Sequence, residues 1–253
     1  MPTLSVILIT RNEEVNLADC LSSLEGIAQQ IVVVDTNSTD STLEIAQNYG
    51  AVIAQPTDWP GFGIQKNRAL DLATGDWILS LDADERLTPA LRSEILTAIH
   101  HSAQVDCFAI PRLSWYCGRF IRHSGWSPDY VDRLFKRGTA RFSDDLVHER
   151  LIPNGQVAKL QNPMLHFSFM NFSQVLQKID RYSTASAEQA FAKGRRSNPL
   201  KAILHGLWAF IRTYFIRAGF LDGYEGLALA LSNAEGSYYR YMKIWLLQNQ
   251  AEK

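Results

Sequence analysis

The sequence predicts an α/β fold in which a mostly parallel sheet is followed by an antiparallel addition and a helical C-terminal extension. Three observations point there. In the N-terminal part, β-rich apolar runs (residues 4–9, 30–34, 52–54 and 77–81) alternate with segments of helical period (16–24, 42–49, 63–73 and 89–100). Continuous Ile/Val runs separated by helices are the pattern of a parallel sheet covered on both faces. From Val105 to about Phe169 the texture changes to short strand-like pieces, aromatics and turns, as in FAIPRLSWYCG, RLFKRG and RLIPNG, which suits antiparallel strands. From Asn171 onward the pattern is helical almost to the end. The expected organisation is one domain over residues 1–170, with a first part over 1–104 and a second over 105–170, and an extension over 171–253.

Composition narrows the class. With 46% hydrophobic and 20% charged residues in a chain of 253, disordered and fibrous proteins are excluded, and one large domain or a domain with an appendage is expected. A formal net charge of −1 gives no global reason to expect nucleic acid as a partner. Cys20, Cys107 and Cys117 are scattered, odd in number and without a C-x-x-C spacing, so neither a disulfide framework nor a zinc site is expected. A reducing, cytoplasmic setting fits them best. The opening MPTLSVILITRNEE has no basic stretch before its short apolar run and no small-residue cleavage site, so it reads as a first strand rather than a secretory signal.

Ligands of open parallel sheets bind outside the carboxyl ends of the strands, which makes the residues after each run informative. The first run ends in Thr10-Arg11-Asn12-Glu13-Glu14, which a helix start would explain, with Thr10 or Asn12 as N-cap and acids in the first turn. The second run ends at Asp35, and Ser41 or Asp40 can cap the helix that follows. A cap does not explain Asp35, an acid ending a buried strand, which suits hydrogen bonds from a ribose or a base edge. Neither G-x-G-x-x-G nor G-x-x-x-x-G-K-[ST] occurs, and Gly61-Phe62-Gly63 reads as a flexible turn rather than a phosphate cradle. The fourth run, WILSLDADERL, offers another way to hold phosphates, because Asp82, Asp84 and Glu85 crowd together where the core ends. Like charges so close repel one another, and burying them is costly unless a cation compensates. Side chains two apart on a strand share a face, and Mg²⁺ or Mn²⁺ takes carboxylate oxygens together with substrate phosphates.

The ordered motifs TRNEE, IVVVDTNSTDST and QKNRALDLATGDWILSLDADE closely resemble, over residues 3–85, the inverting family 2 glycosyltransferases, whose nucleotide-binding domain has the Rossmann-like GT-A fold. The resemblance implies that Thr10 and Glu13 lie near the nucleoside and that Asp35 holds the uracil or ribose side. Lys66 and Asn67 would lie near the diphosphate and sugar, Asp82 would contact ribose or sugar, and Asp84 would ligate a Mg²⁺ or Mn²⁺ ion bridging the two phosphates. One departure is Asp35-Thr36-Asn37-Ser38, where relatives commonly have Asn or Asp-Gly-Ser after the strand-two acid, which leaves the geometry of that loop open. Positive charge at this place stabilises the leaving diphosphate as the anomeric bond breaks.

Inverting transfer also needs a base for the acceptor hydroxyl. The segment FSDDLVHER, 142–150, resembles the V-H-E segment of the lipopolysaccharide-core glucosyltransferases, one branch of this family, and makes Glu149 the first choice, Asp145 the second and Asp144 the last. A structural pairing of Glu149 with Arg150 or Arg133 stays open, and His148 reads as an orienting residue. The stretch DYVDRLFKRG matches the same branch as a strand leading to the base, with Arg133 serving either phosphate or the strand's own end. Trp115, Tyr116 and Trp126 suit either a sugar-stacking wall or core packing.

Residues 189–221 hold six cations, Lys193, Arg195, Arg196, Lys201, Arg212 and Arg217, no acid, and many interleaved Leu, Ile, Trp, Phe and Tyr. The charges interrupt the run too often for a membrane span. An amphipathic helix packed on the preceding domain would explain it, as would a segment lying on an anionic bilayer surface. The following GFLDGYEGLALAL has a counterpart in the same branch. The leading expectation is a metal-dependent inverting glycosyltransferase that moves a hexose from a nucleotide sugar, a UDP-sugar first, to a lipid-linked or lipopolysaccharide-core acceptor. It would work in the cytoplasm, peripherally associated with the inner face of the cell membrane. A sugar-phosphate nucleotidyltransferase and a non-catalytic, membrane-associated nucleotide-binding module are the alternatives. No Gly-rich basic loop follows strand one to favour the former, and the set Asp35, Asp82, Asp84 and Glu149 is intact against the latter.

Overall fold

The computed structural model describes residues 1–101, 104–144 and 149–251. From the N-terminus the elements are β1 (Leu4–Thr10), α1 (Leu17–Ser22), β2 (Gln30–Asp35), α2 (Thr42–Asn48), β3 (Val52–Ala54), α3 (Phe62–Asp71), β4 (Trp77–Ser80), β5 (Glu85–Leu87) and α4 (Pro89–His101). There follow β6 (Cys107–Tyr116), β7 (Arg119–Phe120), β8 (Asp129–Lys136), β9 (Ala140–Phe142), β10 (Leu151–Pro153), β11 (Val157–Lys159) and β12 (Met164–Phe169). The chain ends in α5 (Phe172–Ala192), α6 (Pro199–Ile211), a π-helical turn (Arg212–Ile216), a 3₁₀ turn (Gly219–Asp222) and α7 (Gly223–Ala251). It divides into two compact units, residues 1–112 with 129–166, and residues 113–128 with 167–253.

The main sheet has the strand order β3-β2-β1-β4-β8-β6-β12-β5. Strands β3, β2, β1 and β4 are parallel to one another, whereas β8 runs antiparallel to β4, β6 to β8 and β12 to β5. The parallel part followed by an antiparallel addition and C-terminal helices is the GT-A-type α/β architecture expected. Alternation along the strands explains why both faces are covered. Leu4, Val6 and Leu8 of β1, Val33 of β2 and Leu79 of β4 face a core completed by Leu17 and Leu21 of α1 and Leu91 and Ile95 of α4. Their sequence neighbours Ile7, Val32, Val34 and Ile78 face the opposite core, completed by Ala69 and Leu70 of α3. Period-two side chains on a sheet buried on both sides therefore read as continuous apolar runs.

The helix starts differ from the simplest capping expectation. Helix α1 begins only at Leu17, because Thr10 and Asn12 give their side chains to the next strand end and its loop. At α2 it is Asp40 that caps, its Oδ1 accepting the Thr42 N–H at 3.0 Å, while Ser41 makes no side-chain cap.

In the second unit, residues 113–128 cluster with the C-terminal helices. The Tyr116 hydroxyl lies 2.8 Å from Ser232 Oγ on α7, and Trp126 packs edge-on against Tyr116 at 5.7 Å and tilted against Phe169 at 6.1 Å. Core packing thus accounts for Tyr116 and Trp126. Asn171 and Asn198 cap α5 and α6 by accepting the N–H groups of Gln174 and Lys201, and Pro199 occupies the first turn of α6, where its missing N–H costs nothing. Among the described residues, no helix is long and apolar enough to cross a membrane.

Candidate active site

Strands β1 and β2 end side by side, with Thr10 opposite Asp35. The Thr10 hydroxyl donates to Asp35 Oδ2 at 2.8 Å, and Ser38 donates twice, from its N–H to Oδ1 at 3.0 Å and from its hydroxyl to Oδ2 at 2.5 Å. Asp35 is wholly buried, so these three donors replace the water its carboxylate gave up. Ser38, from the loop whose sequence departs from the common pattern, is what secures the acid. The two strand-end loops are then laced together: Asn12 Oδ1 accepts the Thr39 N–H at 2.8 Å and the Thr42 hydroxyl accepts the Glu13 N–H at 2.8 Å. Burial raises the Glu13 carboxyl above its ordinary value; the hydrogen bond from Asn16 opposes this, and the charges of Asp84, Asp40 and Asp82 add to it. Negative potential accumulates at these strand ends.

The acid cluster lies between β4 and β5. Asp82 sits between two cations, with Oδ1 at 3.1 Å from Lys66 Nζ and Oδ2 paired with the Arg133 guanidinium. Burial works to raise its pKa, but Arg133 and Lys66 outweigh it and hold the carboxyl far below the usual range. Arg133 also donates to Glu85 Oε1 at 2.6 Å, and Glu85 Oε2 accepts the Asp82 N–H at 2.9 Å. Glu85 has no exposed surface; burial pushes its carboxyl above the ordinary value, with Asp82 adding to the shift against the pull of Arg133. Arg133 is not the solvated strand end that the sequence offered as one reading: it is buried, and its guanidinium holds the acid cluster together.

Asp84 has a different partner. Its Oδ2 lies 3.3 Å from His166 Nε2, and both side chains retain some access to solvent. His166 stands opposite Glu85 in the antiparallel pairing of β12 with β5, which brings its ring to the strand end that carries Asp84. Among the described residues no group of three or more His, Cys, Asp or Glu could hold a metal ion. A carboxylate with phosphate oxygens from a substrate nevertheless fits the way Mg²⁺ and Mn²⁺ are commonly held, and the His166 ring stands beside that carboxylate. The sequence reading passed over His166. Its only signal is an imidazole within the strand MLHFSF, uninformative until the partner strand is known.

Lys66 and Asn67 on α3 face the β8–β10 region. Lys66 is buried, and its Nζ lies 3.1 Å from Glu149 Oε1 as well as 3.1 Å from Asp82, so one cation joins the strand-end acid to the expected base. The pairing of Glu149 is therefore with Lys66, rather than the Arg150 or Arg133 left open by the sequence. Asn67 spends its amide on the backbone of Phe142, donating to the carbonyl and accepting the N–H, each at 3.0 Å. It thereby fixes the strand that precedes the Glu149 segment. Gly63 allows the same approach, since a Cβ there would lie 1.8 Å from the Ser143 carbonyl oxygen. Asp144 is exposed, and Asp145 and His148 lie outside the described residues.

With strand ends, acid cluster and Lys66 bridge in place, comparison with known proteins is informative. The family model Glycosyl transferase family 2 matches residues 5–154. The chain belongs to this family. It is 31% identical over 253 residues to the lipopolysaccharide core biosynthesis glycosyltransferase LpsC of Rhizobium meliloti, covering 96% of this chain and 92% of LpsC. An uncharacterised glycosyltransferase of Rickettsia typhi is 28% identical over 256 residues, covering 96% of this chain and 87% of that protein. Among solved structures, S. aureus TarS aligns over 65% of this chain and 36% of its own at 20% identity, with a TM-score of 0.49. A glucosyl-3-phosphoglycerate synthase from Mycobacterium tuberculosis, solved with Mn²⁺ and UDP, aligns over 46% of this chain and 44% of its own at 24% identity, with a TM-score of 0.37. The chain thus spans less than half the length of these two structures. Family membership makes the protein an enzyme of glycosyl transfer, which answers the choice left open with nucleotidyl transfer and with a non-catalytic module.

Proposed function

We propose that this family 2 glycosyltransferase is a metal-dependent, inverting hexosyltransferase that uses a UDP-sugar and serves a lipid-linked or lipopolysaccharide-core acceptor at the cytoplasmic face of the membrane. The observation that carries it is the Lys66 bridge: one buried ammonium lies 3.1 Å from both Asp82, at the donor end, and Glu149, the proton acceptor. The similarity to LpsC along almost the whole chain supports the acceptor class. The uracil nucleotide rests on the IVVVD and LDADE motifs.

In this mechanism Thr10, Glu13 and Asp35 take the nucleoside side, and Lys66 and Asp82 the diphosphate and sugar. Asp84 and His166 would hold Mg²⁺ or Mn²⁺, which when bound neutralises charge on the leaving diphosphate. The acceptor hydroxyl attacks the anomeric carbon from the face opposite the diphosphate. As the new C–O bond forms and the bond to the diphosphate breaks, the hydroxyl proton passes to the Glu149 carboxylate. Lys66, 3.1 Å from that carboxylate, holds it in place until the proton arrives. Glu149→Gln should retain donor binding and lower transfer by roughly 10²–10⁴-fold, the usual contribution of a general base. Unchanged turnover would move the base to Asp145.

A further inference from the structure

Helix α6 is inside out. It approaches α7 through small residues: Ala202 and Gly206 are buried, and a Cβ on Gly206 would stand 3.2 Å from the Ala234 carbonyl and 3.3 Å from Tyr238. The large apolar stripe Leu200, Ile203, Leu204, Leu207, Trp208 and Ile211, spaced as one helix face, is instead exposed. Beyond the helix the pattern continues, with Phe215, Ile216, Phe220, Leu221 and Tyr224 each at least 50% exposed. A contiguous apolar surface of this kind marks an interaction site rather than ordinary surface variation.

Its cations identify the partner. The buried Asp222 carboxylate clamps a loop of the same unit, accepting the N–H groups of Arg122 and His123 at 3.0 Å each and the Ser124 hydroxyl at 2.9 Å. The clamp gathers arginines. The Arg217 carbonyl accepts the Ser124 N–H at 2.8 Å and its guanidinium lies against Gly125, while Arg119 lies against Gly223, the residue after Asp222. Gly223 has φ of +71°, and a Cβ there would stand 3.0 Å from the Arg119 guanidinium. Among the described residues no carboxylate pairs with Arg119, Arg122, Arg212 or Arg217. Unpaired arginines beside exposed aromatic and aliphatic side chains match the phosphate and acyl layers of an anionic bilayer. A second copy of the chain would set these arginines against their own counterparts, which opposes self-association here.

We propose that the α6 stripe and the turns after it form a docking surface for an anionic lipid bilayer, in which the arginines gathered by Asp222 engage headgroup phosphates and the apolar side chains enter the acyl boundary. This rests on the membrane-face reading above and gives it a surface, including the 119–125 loop that lies far from the basic tail in sequence. The test is co-sedimentation of the full chain with vesicles of phosphatidylglycerol and phosphatidylcholine, with UDP titration run on the same proteins. Wild type should sediment with the mixed vesicles and be released by salt. Arg119→Gln/Arg122→Gln should bind about 25-fold more weakly, roughly fivefold for each arginine lost near the surface. Leu207→Ser/Trp208→Ser, both at exposed positions, should lose sedimentation while keeping its helical circular dichroism. Wild type left in the supernatant, or a dimer in analytical ultracentrifugation that Leu207→Ser/Trp208→Ser dissociates, would overturn the proposal. UDP binding without vesicle binding defeats only the docking surface, whereas vesicle binding without UDP binding defeats only the catalytic reading.

Discussion

Replacing Arg133 by methionine probes the support of the acid cluster. Arg133 is 6% exposed in a site where Glu85 is wholly buried, and its guanidinium donates to both Glu85 and Asp82. Methionine keeps most of the apolar stem, so the packing loss is small and the electrostatic loss dominates. Asp82 retains Lys66 at 3.1 Å, but Glu85 keeps Arg112 only at 3.8 Å. Removing one partner of a buried pair costs about 3–5 kcal/mol because the other charge is left behind. The deficit should depend on pH. Glu85 already has its folded pKa above the ordinary 4.5, and loss of Arg133 raises it further. A carboxyl with a raised folded pKa favours the fold fully below its unfolded value and loses that contribution as pH rises through the folded value. The variant should therefore lose less near pH 5, where only the Arg133 contact with Asp82 is missed, than at pH 8, where it should be weaker by about 3 kcal/mol or more, measured as midpoints of urea unfolding. Adding Glu85→Gln to Arg133→Met should recover much of the loss at pH 8, since the neutral amide needs no cation. A loss below about 1 kcal/mol at pH 8, or the same loss at both pH values, would refute the reasoning.

Other expectations follow from single contacts. Gly63→Ala places a methyl 1.8 Å from the Ser143 carbonyl oxygen, so the backbone leading to Glu149 must move; transfer should fall more than about tenfold while UDP binding is retained, read by separate turnover and titration assays. Thr10→Val removes one of three donors to the buried Asp35 and should cost about 1–3 kcal/mol in urea unfolding, with Thr10→Ser close to wild type. In acid, the depressed pKa of Asp82 means that its contribution is present above about 3.8 and lost as pH falls through the folded value; Asp82→Asn should therefore flatten the acid limb of the stability profile.

The sheet was legible because its signal is local. Strands β1 to β4 lie within a residue of the expected runs, since burial on both faces makes Ile, Val and Leu follow one another in β1, β2 and β4. The strand-end acids were legible for the same reason: a carboxylate directly after such a run has no apolar explanation. What the sequence hid depends on long-range register. Nothing in MLHFSF says that His166 will stand beside Asp84, 82 residues earlier in the chain, and nothing in DYVDRLF says that Arg133 will serve Asp82 and Glu85. The small face of α6 was hidden in another way, because an apolar stripe at helical spacing normally turns inward, and only the position of α7 against Ala202 and Gly206 shows that it does not.

The most direct measurement is calorimetric titration with UDP, with and without Mn²⁺, on the wild type, Asp84→Ala and His166→Ala. The proposed site predicts binding that Mn²⁺ strengthens in the wild type, with the strengthening lost in Asp84→Ala and reduced in His166→Ala. Metal-independent UDP binding in the wild type, or an undiminished effect of Mn²⁺ in Asp84→Ala, would contradict it.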